Sequence, residues 1–287
     1  MSADIVIELP PREEPAAPDS LQFIGTATVL IRYAGITVLT DPNFLHRGQF
    51  AYLGKGLVSR RLTEPAMDVS ELPELDVIVL SHLHGDHFDR VAKAGLDHSV
   101  PILTTVQAAN KLNRWGFRAL PLRTWQDVTV RRPGSVLRVT ALPARHAKGI
   151  AQAALPTVMG SLLDFSGDGP PLRMYLTGDT LIHDELRQIR ARYDDIGVAV
   201  LHLGGTRILG MLVTMDGEQG VEMLRLVQPE TAIPVHYDDY GVFKSPLADF
   251  LTAVRRERPP VRIVPVKRGD VVPLPVPATY PAETAKG

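Results

Sequence analysis

The chain of 287 residues contains no cysteine. Disulfides and thiolate metal ligands are thereby excluded, so any transition-metal site must be assembled from imidazole and carboxylate, donors that suit zinc, manganese and iron. Nowhere do about 18 apolar residues run consecutively, which removes a membrane-spanning helix and any expectation of stable membrane insertion. Excess charge is missing too. Its 31 Lys and Arg face 32 Asp and Glu, leaving a formal charge of -1 and no field that would draw the protein to nucleic-acid phosphates. The opening MSADIVIELPPREEPAAPDS lacks a basic stretch followed by an apolar run, so it is not a secretory signal, and cytoplasmic residence is the expectation.

What is present suits a protein with a real core, at 45% hydrophobic residues. Residues 1–20 and the tail 273–287 are rich in proline and alanine without periodicity and read as flexible tethers around one domain over 21–272. Within it, TVLIRY and ITVLTD flank Ala34-Gly35 and predict a hairpin. Asp76–Leu80 (DVIVL) is a short continuous apolar run, as expected of a strand buried on both faces. A helix is predicted over Val106–Trp115, closed by Gly116, followed by strands at Val128–Val130 and Val136–Leu142 joined through Pro133-Gly134. MYLT, VAVLHL and TAIPVH are further buried strands. One helix is expected to begin at Asp216 with Gln219 as capping-box partner, another with Ser245 as N-cap and Pro246 at its first position. Two strand-rich halves, each carrying helices, imply an α/β (α+β) fold with sheet packed on sheet and helices outside.

The densest chemistry lies directly after DVIVL, where His82-Leu83-His84-Gly85-Asp86-His87 puts three imidazoles and a carboxylate within six residues. On a turn leaving a strand, residues two apart can aim imidazoles at one ion while Asp86 and His87 on the next bend reach a second. Gly85 permits the tight backbone path.

This HxHxDH pattern resembles the defining motif of the metallo-β-lactamase superfamily, and the resemblance spans roughly Leu21 to Asp270. It implies a four-layer αββα sandwich, two sheets flanked by helices. It also implies the remaining ligands, in order: His146 in LPARH, Asp179 in LTGDT and His236 in IPVHY. By the same resemblance His82, His84 and His146 hold one divalent metal ion, Asp86, His87 and His236 hold the other, and Asp179 bridges. Zinc is the first expectation, with Mn2+ or Fe2+ as alternatives. Asp41, in TDP, matches an aspartate that sits beside the metals and hydrogen-bonds a ligand imidazole; its alternative is a turn before Pro42.

His202 ends VAVLHL before Gly204-Gly205 on the same sheet edge, and is expected to act on substrate or in proton transfer alongside Asp86 and Asp179, or else to pack. His46, His98 and His183 lack supporting context and read as surface residues. FIGTATVLIRYAGITVLTDPNF, GDT, and GGT with TMD resemble the branch containing ascorbate-6-phosphate lactonase and the N-acyl-phosphatidylethanolamine-hydrolysing phospholipase D. The expectation is a hydrolase in which a metal-bridging hydroxide attacks an ester, lactone or phosphodiester of a small molecule. The chain departs from the phospholipase in lacking a long N-terminal extension and in carrying SHLHGDH where those enzymes have an asparagine-containing motif, so a lipid is not favoured. The apolar loop Thr206–Val213 is a candidate pocket wall, and Lys148, Arg207 and Tyr237 are candidates for binding an anionic group. A di-iron redox protein, a nucleic-acid-processing nuclease of the same superfamily and a non-catalytic metal-stabilised module are the alternatives. A homo-oligomer stays open.

Overall fold

A computed structural model describes residues 5–12, 16–54, 56–147, 155–208 and 210–282. Its strands are β1 (Ile5–Glu8), β2 (Ser20–Gly25), β3 (Thr28–Tyr33), β4 (Ile36–Thr40), β5 (Phe50–Gly54), β6 (Leu57–Arg60), β7 (Val77–Leu80), β8 (Ile102–Thr105), β9 (Ala119–Leu122) and β10 (Asp127–Arg132). They continue with β11 (Ser135–Leu142), β12 (Gly160–Gly167), β13 (Leu172–Leu176), β14 (Val198–His202), β15 (Arg207–Ile208), β16 (Met211–Leu212), β17 (Thr231–Val235), β18 (Arg262–Ile263) and β19 (Val271–Pro273). The helices are α1 (Arg90–Gly95), α2 (Val106–Arg114), α3 (Arg187–Arg192), α4 (Gly217–Val227) and α5 (Leu247–Glu257).

Strand alternation builds the layers. An eight-stranded sheet runs β1-β10-β11-β12-β13-β14-β17-β18 and a seven-stranded sheet runs β19-β2-β3-β4-β7-β8-β9. Val29, Ile31, Val77 and Val79 of the second meet Leu137, Val139, Val198 and Val200 of the first in the central core. The alternate residues Leu30, Leu39, Ile78 and Leu80 face outward onto Ala92 of α1 and Ala109 and Leu112 of α2. On the other side Leu162, Ala199, Leu201 and Ala232 pack on Ile189, Val221, Leu224 and Phe250 of α3, α4 and α5. Both faces of both sheets are therefore covered, which is why the central strands read as unbroken apolar runs. The result is the four-layer αββα arrangement.

Local expectations are met where turn chemistry is strong. Ala34 and Gly35 both have positive φ, 49° and 74°, as a two-residue hairpin loop requires. Pro234 sits inside β17 but opposite Leu201, beyond the Thr231 and Ala232 pairs with β18. Val235 O accepts from Leu203 N on the β14 side, so the Pro234 nitrogen faces the β18 side, where pairing stops just after Val264 N donates to Ala232 O and the proline supplies no further donor.

Three expectations need correction. The stretches read as tethers contain structure: β1 pairs in parallel with β10 and buries Ile7, while β19 pairs with β2 as far as Pro273 and Arg262 holds the carbonyl of Pro277 at 2.6 Å. Short alternating edge strands tolerate the adjoining prolines, which hid them. Gln219 does not close a capping box, since its side chain accepts from Ile182 N while Asp216 alone caps α4. Ser245 is not the N-cap of α5, which is Pro246; its hydroxyl instead accepts from Gly217 N at the start of α4.

Candidate metal centre

Parallel strands deliver the site. β7, β13, β14 and β17 all end at the same edge of the sandwich, and the chain bends there to present His82, Asp179, His202 and His236. After β7 the chain makes the tight turn through Gly85, where an added Cβ would stand 2.7 Å from both the N and O of Tyr52. The motif glycine is needed because the β5–β6 hairpin lies against it, with Gly85 N donating to Tyr52 O at 2.9 Å.

All seven side chains singled out as ligands converge. His82 Nε2 lies 2.9 Å from His84 Nδ1, and His146 Nε2 lies 3.3 Å from the same atom. In the neighbouring cluster His87 Nε2 and His236 Nε2 are 3.2 Å apart, with Asp86 Oδ2 3.6 Å from His236. Asp179 stands between, its Oδ2 3.2 Å from His87 Nε2 and 4.0 Å from His82 Nε2. Each of the trios His82–His84–His146, Asp86–His87–His236 and His82–His87–Asp179 has its ligand atoms within 4.8 Å of one another.

The arrangement fits cations. His146 Nδ1 donates to Val213 O at 2.6 Å and His236 Nδ1 to Leu203 O at 3.1 Å. Carbonyls only accept, so each Nδ1 carries a proton and each Nε2 is the atom turned into the cluster. His82 Nδ1 is held by Ser81 Oγ at 3.0 Å, and His87 Nδ1 faces Asp41 Oδ1 at 3.4 Å. Lone pairs converging at such distances repel unless a positive charge lies among them. Asp86 Oδ1 and Asp179 Oδ1 are buried without a hydrogen-bond donor, as metal-ligating oxygens would be.

Charge divides the two clusters. Burial, with the neighbouring imidazoles, pushes His82 well below the ordinary histidine value and His84 down to about 4; burial also lowers His146. In the second cluster burial is outweighed by carboxylates: Asp179, Asp41 and Asp86 raise His87 well above its ordinary value, and Asp179 and Asp86 raise His236. One cluster is thus neutral and ready to ligate, while the other is a carboxylate-rich cage.

Asp41 Oδ1 accepts from Ser81 N and Ser81 Oγ at 2.8 and 2.9 Å, while its two oxygens face His87 Nδ1 and His202 Nε2, each at 3.4 Å. Burial would raise this carboxyl, but the charge of His87 and the facing ring nitrogens of His202 and His87 bring it to about 2. Of the two readings of His202, action on substrate or packing, its surroundings fit packing. Its ring is 1% exposed, stacks on His87 at 6.0 Å and sits between Asp41 and Thr177, whose Oγ1 is 3.2 Å from Nδ1. Small residues after a strand end allow either direction, and here the Thr177 hydroxyl and Asp41 draw the ring behind the ligands.

Tyr237 is also turned away, its hydroxyl donating to Val266 O, and Arg207 is spent on Gly210 O within its own hairpin. Lys148 lies outside the described residues. Within the loop read as a pocket wall, Arg207 and Ile208 pair with Leu212 and Met211 as β15 and β16, and Val213 reaches the site through its carbonyl. His46 pairs with Glu64 at the surface and His98 stacks on Phe117, whereas His183 is half-buried with neither ring nitrogen partnered.

A buried polar network lies behind the motif. Arg61, fully buried on the chain leaving β6, lies 3.2 Å from Asp239 and donates to Thr26 Oγ1 at 2.9 Å and to Asn43 Oδ1. Asn43 Nδ2 holds Gly85 O at 2.9 Å, and Asp239 Oδ2 accepts from Thr26 N at 2.8 Å. Thr26, Asp41 and His236 adopt left-handed φ of 54°, 38° and 63°, a strained backbone that such cross-links can hold. The signal in the sequence was an arginine, an asparagine and an aspartate beside site segments, which solvated side chains commonly share.

The chain is similar to several known proteins. A 28% identical relative over 244 residues is the UPF0173 metal-dependent hydrolase of Archaeoglobus fulgidus, covering 82% of this chain and 96% of that one. An uncharacterised protein of Mycobacterium tuberculosis is 27% identical over 236 residues, and the match spans 79% of this chain but only 60% of that protein's length. Among solved structures, the possible metal-dependent hydrolase from Veillonella parvula superposes with a TM-score of 0.74 at 20% identity, over 90% of this chain and 100% of the other. The isothiocyanate hydrolase from Delia radicum gut bacteria gives 0.74 at 19%, over 88% and 98%. The sequence profile described as the β-lactamase superfamily domain matches residues 37–237, most of the chain, and the chain belongs to that superfamily.

Proposed function

We propose that the protein is a dinuclear metal-dependent hydrolase acting on an ester, lactone or phosphodiester of a small molecule. The observation that carries this reading is the pairing of two ligand clusters across one carboxylate, Asp179, with imidazole tautomers fixed by Val213 O and Leu203 O. His82, His84 and His146 would hold one ion, Asp86, His87 and His236 the other. When bound, two divalent ions such as Zn2+ would polarise the scissile bond and lower the pKa of a water toward neutrality, so no side-chain nucleophile is required. Asp179 would hold the ions at a fixed separation, and Asp41 and Ser81 would keep His87 and His82 aimed. The Archaeoglobus relative is named a metal-dependent hydrolase, which supports the class.

Metal analysis of purified protein, followed by a hydrolysis screen across lactones, phosphodiesters, β-lactams and isothiocyanates, tests the proposal. The expected result is two ions per chain and metal-dependent turnover in one class. One ion per active chain would sink the dinuclear mechanism, and two irons with oxygen consumption but no hydrolysis would move the protein to redox chemistry.

A further inference from the structure

A groove of about 300 Å3 runs along one side of the motif. Its walls come from three places: Leu83 and His84 of the motif, Phe50 and Tyr52 of the β5–β6 hairpin, and Lys93, Lys111 and Trp115 at the outer helices. His84 is the most exposed of the seven candidate ligands, at 8%, so it is the one this groove meets. Arg90 Nη1 donates to Phe50 O at 3.2 Å, tying α1 to the hairpin and fixing the width.

The charges in this groove are not balanced. Lys93 Nζ lies 4.0 Å and Lys111 Nζ 5.0 Å from the centroid of the same indole, Trp115, bringing two ammonium groups from two helices to one ring. Among the described residues neither lysine has a carboxylate within ion-pair distance. The acid in the groove wall, Asp89, cannot serve. Its Oδ1 takes Val91 N and Ala92 N at 2.8 Å each, and its Oδ2 takes Phe44 N, Leu45 N and Asn43 Nδ2 at 2.5, 2.7 and 3.0 Å. Contact with an indole is worth about 0.5–1 kcal/mol at an exposed site, which does not remove the mutual repulsion of two cations. An oxyanion in the groove that both lysines line would. Beside them Phe50, 55% exposed, lines the groove with Leu45, Leu83 and Phe88 as apolar surface, while the Trp115 ring is shared by the two ammonium groups and by Phe88, 6.5 Å away.

We propose that this groove binds a substrate's apolar body and its oxyanion end, a carboxylate or phosphate held by Lys93 and Lys111, with the scissile group carried past His84 to the metal centre. The proposal rests on the hydrolase reading and names its substrate class: small anionic esters or phosphodiesters with an aromatic or branched apolar part, in preference to neutral or cationic ones.

The test uses two non-hydrolysable probes of one shape, 2-naphthoate and neutral 2-naphthalenemethanol, titrated calorimetrically into the metal-loaded protein and its K93Q/K111Q variant at low salt. Both lysines are exposed, so the fold should survive, and an unchanged melting temperature checks it. The naphthoate should bind the variant about 10-fold or more weakly, a loss that rising salt reproduces in the parent, while affinity for the alcohol changes less than about 2-fold. A second variant, W115A, should weaken both probes. Naphthoate binding indifferent to K93Q/K111Q, as when the carboxylate sits on the metals, overturns the proposal. If the binding difference holds but no ester is hydrolysed, the hydrolase reading falls and the groove stands; if esters are hydrolysed with the variant's KM for anionic substrates unchanged, the reverse is true.

Discussion

Oδ1 of Asp41 lies 3.4 Å from Nδ1 of His87, the imidazole whose Nε2 reaches Asp179 at 3.2 Å. A carboxylate behind a ligating histidine fixes which nitrogen carries the proton and raises the basicity of the other. Asp41→Ala should therefore weaken metal affinity by about 10- to 100-fold and lower turnover at limiting metal, with rescue when metal is supplied in excess. Chelator competition measures it. Unchanged affinity would return Asp41 to the turn before Pro42.

Asp179→Asn tests the bridge. The amide keeps the volume, so the fold should persist, but a neutral group between two cations leaves their repulsion uncompensated. We expect the second equivalent of metal to bind at least about 10-fold more weakly and most activity to be lost, read by metal stoichiometry after dialysis alongside initial rates. Near-normal turnover with both ions retained would sink the bridging role.

The layers and the ligand-bearing turns were legible because they rest on local signals: DVIVL followed by the histidine hexad, the Ala34-Gly35 and Pro133-Gly134 turns, and the Asp179 and His236 strand ends. What escaped depends on pairing across long sequence separations. β1 becomes a strand only because β10 offers an edge 123 positions later, as the Ile5↔Val128 register shows. Arg61 acquires its role only from Asp239 and Asn43, brought to it by the fold. The direction of the His202 ring, too, is decided by Thr177 and Asp41 and not by its own strand.

The two clusters should respond differently to pH. His84, at about 4, and His82, well below its ordinary value, hold no protons near neutrality, and burial lowers His146 as well, so metal binding there should depend only weakly on pH around neutrality. His87 and His236 are raised by facing carboxylates and must release protons to a cation, so affinity at that cluster should climb as pH rises through their elevated values. Calorimetry in buffers of different ionisation enthalpy would show proton release accompanying one of two binding steps. Equal release in both steps contradicts the assignment.

Arg61 and Asp239 are both fully buried, and removing one partner strands the other's charge. Arg61→Met should cost about 3–5 kcal/mol of stability, seen as a lowered denaturant midpoint at unchanged slope. Because Asn43 links Arg61 to the Gly85 carbonyl, metal affinity should fall as well. Asp239→Asn in the same chain should recover part of the stability, since the orphaned carboxylate is then gone; full additivity of the two changes would show that they do not act as a pair.

His202→Ala separates positioning from acid–base work. Its ring touches Asp41, Thr177 and the face of His87, and burial holds it below the ordinary histidine value, so it is neutral at physiological pH and offers no proton to a leaving group. What it can do is hold Asp41 Oδ2 while Oδ1 orients His87. Its removal should therefore reproduce the Asp41→Ala loss of metal affinity, and the double variant should be little worse than either single one, because both act through the same imidazole. Excess metal should restore the rate and leave the pH profile of kcat unchanged. A general acid would behave otherwise: metal content would stay intact, the rate would drop about 10²- to 10⁴-fold at saturating metal, and the alkaline limb of the profile would disappear.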